Sequence, residues 1–198
     1  MHALNLAEPA MDNSYTFVGG AHGAWRVTSM RGVCGDGLAP VERVDVVQGL
    51  PIGQALSTEF AWRLQGLTSH VRYAERSEVD SLAAHQPSLD RPEATCGALI
   101  PIKKSARWWA LPQDERRAIF EAVSHHTQIG LDYLPAVARR LHHCRDIGEP
   151  FDFLTWFEYA PNHADAFEQL VSALRATPEW DYVEREIDIR LVRVDGDA

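Results

Sequence analysis

The stretch YVEREIDIRLVRV, residues 182–194, alternates Val183, Ile187, Ile189 and Leu191 with charged residues. Successive side chains of a strand point to opposite faces, so this pattern predicts a strand with one face on a core. Two other segments have β character. ATCGALIPIKK (94–104) is apolar and ends in charge, and DFLTWFEY (152–159) is aromatic and β-branched with no breaker. Helical signals lie around them. LPQDERRAIFEAVSHH (111–126) places Pro112 near a first turn and Asp114 and Glu115 where acidic groups suit the helix dipole. Ile119, Phe120 and Val123 then form an apolar helical face. A second helix is predicted from about Ile129 to His143, kinked or broken near Pro135. NHADAFEQLVSALRA (162–176) sets Phe167, Leu170, Val171 and Leu174 at helical spacing.

In the N-terminal half, SYTFVGGAHGAWRVTSM (14–30) and STEFAWRLQGLTSHVRY (57–73) read as strands and ERSEVDSLAAHQ (75–86) as a short helix. Residues 1–13 read as a loose tail. The strand–helix–strand rhythm of both halves predicts an α+β fold with a mainly antiparallel sheet. It fits two similar modules sharing one barrel, although no sequence repeat is visible.

A chain of 198 residues with 45% hydrophobic residues can build a real core. No basic segment followed by an apolar one occurs in the first thirty residues, and no apolar run reaches transmembrane length, so a cytoplasmic location is expected. Cys34, Cys96 and Cys144 are odd in number, widely spaced and without a CxxC, which is not a disulfide framework. A net charge of −9 argues against nucleic acid or an anionic membrane surface as partner. It also means that an anionic substrate needs a local positive charge.

SHHTQIGLDYLPAVARRLHHCRD (124–146) concentrates four histidines, a cysteine and three arginines. Zinc held by His125, His126, His142, His143 and Cys144 is one reading. Adjacent histidines on a helix point about 100° apart, however, and no HExxH is present. A haem iron needs only one axial imidazole. By spacing alone, each of these histidines reads more readily as surface or core than as a ligand.

From about Ala94 to Arg193 the chain resembles the chlorite dismutase family of haem b proteins. The resemblance is carried by ALIPIKKSARWW, DERRAIFEAVSHHT, YLPAVARRLHHCRDIGEPFDFLTWFEYAP and ATPEWDYVEREIDIRL, in the order and spacing of that family's short, dimeric branch. SHVRYAER (69–76) matches as well, whereas the first fifty-odd residues match poorly. The implied fold is two ferredoxin-like modules forming an antiparallel β-barrel flanked by helices, a dimeric α+β barrel. The implied domain is residues 14–198, with 14–92 a degenerate N-terminal module and 93–198 the haem-binding module.

The resemblance also implies roles. His126 is the proximal ligand to iron, and its neighbour His125 points elsewhere. Glu179 in TPEW is the acceptor that orients the ligand; alone, it reads as a first-turn acid beside Pro178. Arg139, thirteen residues after His126 and placed in the next helix, is the distal arginine, with Arg140 solvated or salt-bridging. A guanidinium is always charged and binds an oxyanion with fixed geometry. Leu141, Thr155 and Phe157 match positions lining the distal face, where ordinary core is the competing reading. Tyr73, Lys104 and Trp108 match positions near the haem propionates, and at least one of Trp108 and Trp109 reads as simple packing. His142, His143 and Cys144 are expected to face solvent or a subunit partner.

The implied activity is haem b-dependent conversion of chlorite to chloride and dioxygen with O–O bond formation, by a homodimer. The alternatives are a related coproheme decarboxylase, whose distal position typically holds glutamine, and a haem-binding or haem-sensing module without turnover. Arg139 favours chlorite.

Overall fold

The alternation of residues 182–194 contributes one wall of a barrel. The computed structural model describes residues 11–54, 59–68 and 75–194. Its strands are β1 (Met11–Gly20), β2 (Trp25–Cys34), β3 (Arg43–Gly49), β4 (Trp62–Leu67), β5 (Cys96–Lys104), β6 (Val137–His143), β7 (Phe153–Tyr159) and β8 (Val183–Arg193). They close in the order β1-β3-β2-β8-β5-β7-β6-β4, with every pairing antiparallel. Closure leaves no long sheet edge to pair with another chain. The helices are α1 (Arg76–His85), α2 (Ala106–Ala110), α3 (Gln113–Arg117), α4 (His126–Asp132) and α5 (Ala164–Arg175). The expected α+β antiparallel barrel with flanking helices is therefore present.

Alternate residues fill the barrel. Phe17, Trp25, Leu64, Leu99, Leu154, Trp156, Ile187 and Ile189 form one buried cluster. Trp25 and Trp156 meet edge to face, with ring centroids 5.1 Å apart. A second cluster lies outside the barrel, where Phe167, Leu170, Val171 and Leu174 of α5 cover Ala98, Ile100, Phe157 and Tyr159 of β5 and β7.

The sequence reading of β8 as half-buried is exceeded, because its charged face is covered too. Glu186 and Asp188 are fully buried. Arg175 of α5 donates from Nε to Glu186 at 2.8 Å and from Nη2 to Asp188 at 2.8 Å. Arg190 donates to Asp188 and to Glu168. Burial alone would raise the pKa of Asp188, but Arg190 and Arg175 outweigh it and hold the carboxyl below its usual range.

Several sequence readings are corrected. Residues 14–30 form two strands, which pair with β3, β4 and β8 but not with each other. β3 had no clear signal, and β1 begins at Met11, inside the stretch read as a tail; residues 1–10 lie outside the described residues. The helix expected over 111–126 is broken into α3, a π-helical turn (Ala118–Val123) and the start of α4. The helix expected over 129–143 is α4 followed by β6. Arg139 is thus on a strand, because VARRLHH satisfies its backbone by pairing along β7 from Val137 to His143, and barrel closure overrides helical propensity. His142 and Cys144 do not face solvent. They are fully buried, with His142 Nδ1 donating to Leu154 O at 2.9 Å and Cys144 Sγ donating to Phe151 O at 3.0 Å.

Replacing Asp188 with Asn leaves two partly buried guanidinium groups short of a counter-charge. Urea unfolding at neutral pH is expected to show a loss of about 3 kcal/mol with unchanged slope. Because the folded carboxyl titrates below its ordinary value of 3.8, this advantage exists above that pH and disappears as pH falls beneath it. The two unfolding curves should therefore converge in acid.

Candidate functional site

The outer faces of β5, β6 and β7 form the floor of a cavity of about 410 Å³, within the range of small-molecule sites. The β6–β7 register sets Arg139 opposite Phe157, Leu141 opposite Thr155 and His143 opposite Phe153, and all six line the cavity. Ile100 and Ile102 extend the floor. Phe120, His126, Thr127 and Trp180 form the opposing wall, and Leu82 and Gln86 line it near α1. Thr155 and Phe157 share one face of β7, as alternation requires.

His126 enters this wall because of the backbone just before it. The π-helical turn ends at Val123, and His125 takes φ 51°, in the left-handed region that residues with a Cβ rarely occupy. That bend separates the two rings: His125 is exposed and His126 faces the cavity. The imidazole of His126 stacks on Phe120 with centroids 4.4 Å apart and lies nearly parallel to Trp180 at 6.4 Å.

Behind the ring sits Glu179, on the 3₁₀ turn Pro178–Tyr182 and only 3% exposed. His126 Nδ1 donates to Glu179 Oε2 at 2.7 Å, and Lys104 Nζ donates to Oε1 at 2.7 Å. The Glu179 backbone N–H donates to Ser124 Oγ at 3.0 Å. Burial would raise the pKa of Glu179, but His126 and Lys104 overcome it and bring the carboxyl to about 2. An ionised carboxylate only accepts hydrogen bonds, so Nδ1 must carry the proton. The neutral ring then presents its lone pair from Nε2.

Arg139 supplies the site's charge. Its guanidinium makes no hydrogen bond or ion pair among the described residues, and burial lowers its pKa from the usual value. Guanidinium remains protonated nonetheless. Gln86 holds the backbone beneath it, donating from Nε2 to Arg139 O at 2.5 Å.

The remaining sequence candidates divide. Trp108 is buried and lines the cavity, whereas Trp109 donates to Asp152 Oδ2 at 3.0 Å and stacks on Phe153. Lys104 also lines the cavity, but its ammonium is engaged by Glu179 and lies over the Trp108 and Trp180 rings at 4.9 and 5.2 Å. Arg140 is half-buried. It lies over the Tyr15 ring at 3.8 Å and donates to Tyr15 Oη at 3.0 Å. Tyr73 lies outside the described residues. The zinc reading fails on geometry, since His126 is in the outer wall, His142 is in the barrel, and no group of three or more His, Cys, Asp or Glu residues is placed to hold a metal ion among the described residues. Phe120, Ser124 and Trp180 were missed. Their signal would have been adjacency to His126 and Glu179, which only the fold supplies.

One oriented imidazole cannot retain a bare cation. It suits a prosthetic group that brings its own remaining ligands, and the apolar floor suits a flat macrocycle. The residues present are compatible with a haem-sized group held through the free Nε2 of His126. Fold and site together define an α+β-barrel protein with one oriented imidazole facing an apolar cavity.

Comparison with known proteins agrees. The family profile described as chlorite dismutase matches residues 50–194. A dimeric chlorite dismutase from Nitrobacter winogradskyi is 56% identical, with a TM-score of 0.83 over 90% of this chain and 99% of that one. A variant chlorite dismutase from Candidatus Nitrospira defluvii is 30% identical, with a TM-score of 0.56 over 69% of this chain and 56% of that one. The chlorite dismutase of Ideonella dechloratans is 37% identical over 84 residues, which are 42% of this chain and 27% of that protein. The chain belongs to the chlorite dismutase family. No helix among the described residues is long and apolar enough to cross a membrane.

The buried pair behind His126 gives a test of its own. Glu179→Ala leaves the Lys104 ammonium buried without its carboxylate and is expected to destabilise the protein by about 3–5 kcal/mol. Adding Lys104→Met removes the stranded charge. A urea double-mutant cycle should then show a coupling above about 1 kcal/mol, and additive losses would contradict the pairing.

Proposed function

We propose that the protein is a haem b-dependent chlorite dismutase that converts chlorite to chloride and dioxygen, forming the O–O bond from the two oxygens of one chlorite. The observation that carries this reading is the pairing, in the same apolar cavity, of an oriented imidazole with a guanidinium that has no counter-ion among the described residues. Residues 14–198 act as one domain, with 14–92 and 93–198 as its two ferredoxin-like modules. The protein works in the cytoplasm as a homodimer, with chlorite detoxification as its role; neither nucleic acid nor membrane is a partner.

Bound haem supplies the redox chemistry, and the chain supplies ligation, charge and enclosure. His126 offers Nε2, and Glu179 holds the Nδ1 proton, which makes the ring a stronger donor. Lys104 fixes the carboxylate against reorientation. Arg139 draws chlorite into a protein whose net charge of −9 would otherwise repel it. Two parallel N–H donors fix the anion's orientation. The same charge holds the chlorine–oxygen fragment inside the cavity, so that both oxygens leave together. Leu141, Thr155 and Phe157 give a floor with few competing hydrogen-bond partners, which strengthens the guanidinium–anion contact. Trp108 and Lys104 close the end of the floor beside Glu179. A coproheme decarboxylase would be expected to carry glutamine where Arg139 stands.

The test is to load the protein with haem b, add chlorite, and follow dissolved oxygen and the Soret band together. One dioxygen per chlorite is expected; bound haem without oxygen release would overturn the assignment. His126→Ala should weaken haem binding more than about tenfold, read by Soret titration. Arg139→Ala should keep haem while kcat/KM for chlorite falls about 10- to 100-fold, the value of one charge-assisted hydrogen bond.

A further inference from the structure

Arg139 needs a resting place, and the structure provides one on the helix that carries His126. Gly130 lies one turn after His126 on α4 and is buried. A Cβ built on Gly130 would stand 2.7 Å from both Cζ and Nη2 of Arg139 and closer still to Nη1. Those are the three heavy atoms nearest to it, and real Cβ contacts essentially never fall below 3.0 Å. Glycine in a helix interior weakens the helix, so its presence here calls for a local reason. Its φ is not in the left-handed region, so no turn requires it. The guanidinium occupies the space that a side chain would take.

We infer that Gly130 is the positioning residue for Arg139: the missing side chain forms a notch that seats the guanidinium in the cavity wall. The inference rests on the proposed anion-binding role of Arg139. The seat explains how a partly buried cation stays in place without a carboxylate among the described residues. Any carboxylate partner would compete with an incoming anion, whereas packing against helix backbone orients the group and leaves all its donors available. It also keeps the planar guanidinium at the wall, so that space beside the imidazole remains open. A methyl at position 130 meets only the far end of a flexible side chain, so Gly130→Ala should fold and push Arg139 into the cavity.

The test uses the protein without haem, which separates it from the question of chlorite turnover. Phenylglyoxal labels accessible guanidinium groups, and peptide mass spectrometry reads the rate at each arginine. Gly130→Ala should raise the rate at Arg139 by about threefold or more, with Arg140 unchanged because Tyr15 holds it. Equal rates at Arg139 would overturn the inference. Melting temperature gives a second, independent reading. In the Arg139→Ala background the notch is empty, so Gly130→Ala should raise the melting temperature by more than it does when the arginine is present. The same increment in both backgrounds would show that Gly130 does not seat the arginine. If haem-loaded protein failed to release oxygen while both readings held, the seat would stand and the proposed substrate would fall.

Discussion

A carboxylate buried between an imidazole and an ammonium is the constraint around which this site is arranged. Glu179 has little access to water, so it stays ionised only because His126 and Lys104 donate to its two oxygens. Each partner comes from a different part of the fold. Lys104 ends β5, His126 starts α4, and Glu179 sits on the turn before β8. Three elements must therefore be in register before the ring can face the cavity. The same bond sets the tautomer, because a proton held on Nδ1 leaves the Nε2 lone pair of the neutral ring free.

The barrel makes that convergence possible. β5 pairs with both β7 and β8, which places Lys104 beside the turn bearing Glu179 and places the apolar floor beside both. The ionic network of Arg175, Glu186 and Asp188 ties α5 to β8, and Trp180 joins it by donating from its indole to Glu186 at 2.8 Å. One buried charge system thus supports the wall alongside His126. The Arg139 guanidinium rests against Gly130 of α4 and makes no hydrogen bond or ion pair among the described residues. The two charged centres differ: the Glu179 carboxylate is held by two donors, whereas the Arg139 guanidinium lines the cavity.

Much of this was legible in the sequence, and the failures have physical causes. The β8 and α5 segments were readable from their periods, and β5 and β7 from unbroken apolar or aromatic runs that meet the barrel core on one face and the α5 cluster on the other. The π-helical turn and β6 were not. HHTQIGLDYLPAVARRLHH has enough helix-forming residues to look helical, and only pairing with β7 makes its second half a strand. The error moved Arg139 to the wrong kind of element while leaving its spacing from His126 intact. His142 and Cys144 were misjudged for a related reason. On a strand, alternate residues enter the barrel, so polar side chains beside Arg139 became core. The engagement of Lys104 by Glu179 was invisible, since no local pattern links residues seventy-five positions apart. β3 escaped notice because its burial depends on neighbours rather than on its own alternation.

The site's arrangement depends on the protonation of one ring, that of His126. Histidine ¹⁵N–¹H correlation spectra of the haem-free protein, followed to a pH at which His126 is neutral, would show which nitrogen keeps the proton. Protonated Nδ1 with a bare Nε2 is the expected result, with Glu179→Gln relaxing the preference. A neutral ring protonated on Nε2 would contradict the account, because the imidazole would then point a donor, not a ligand, into the cavity.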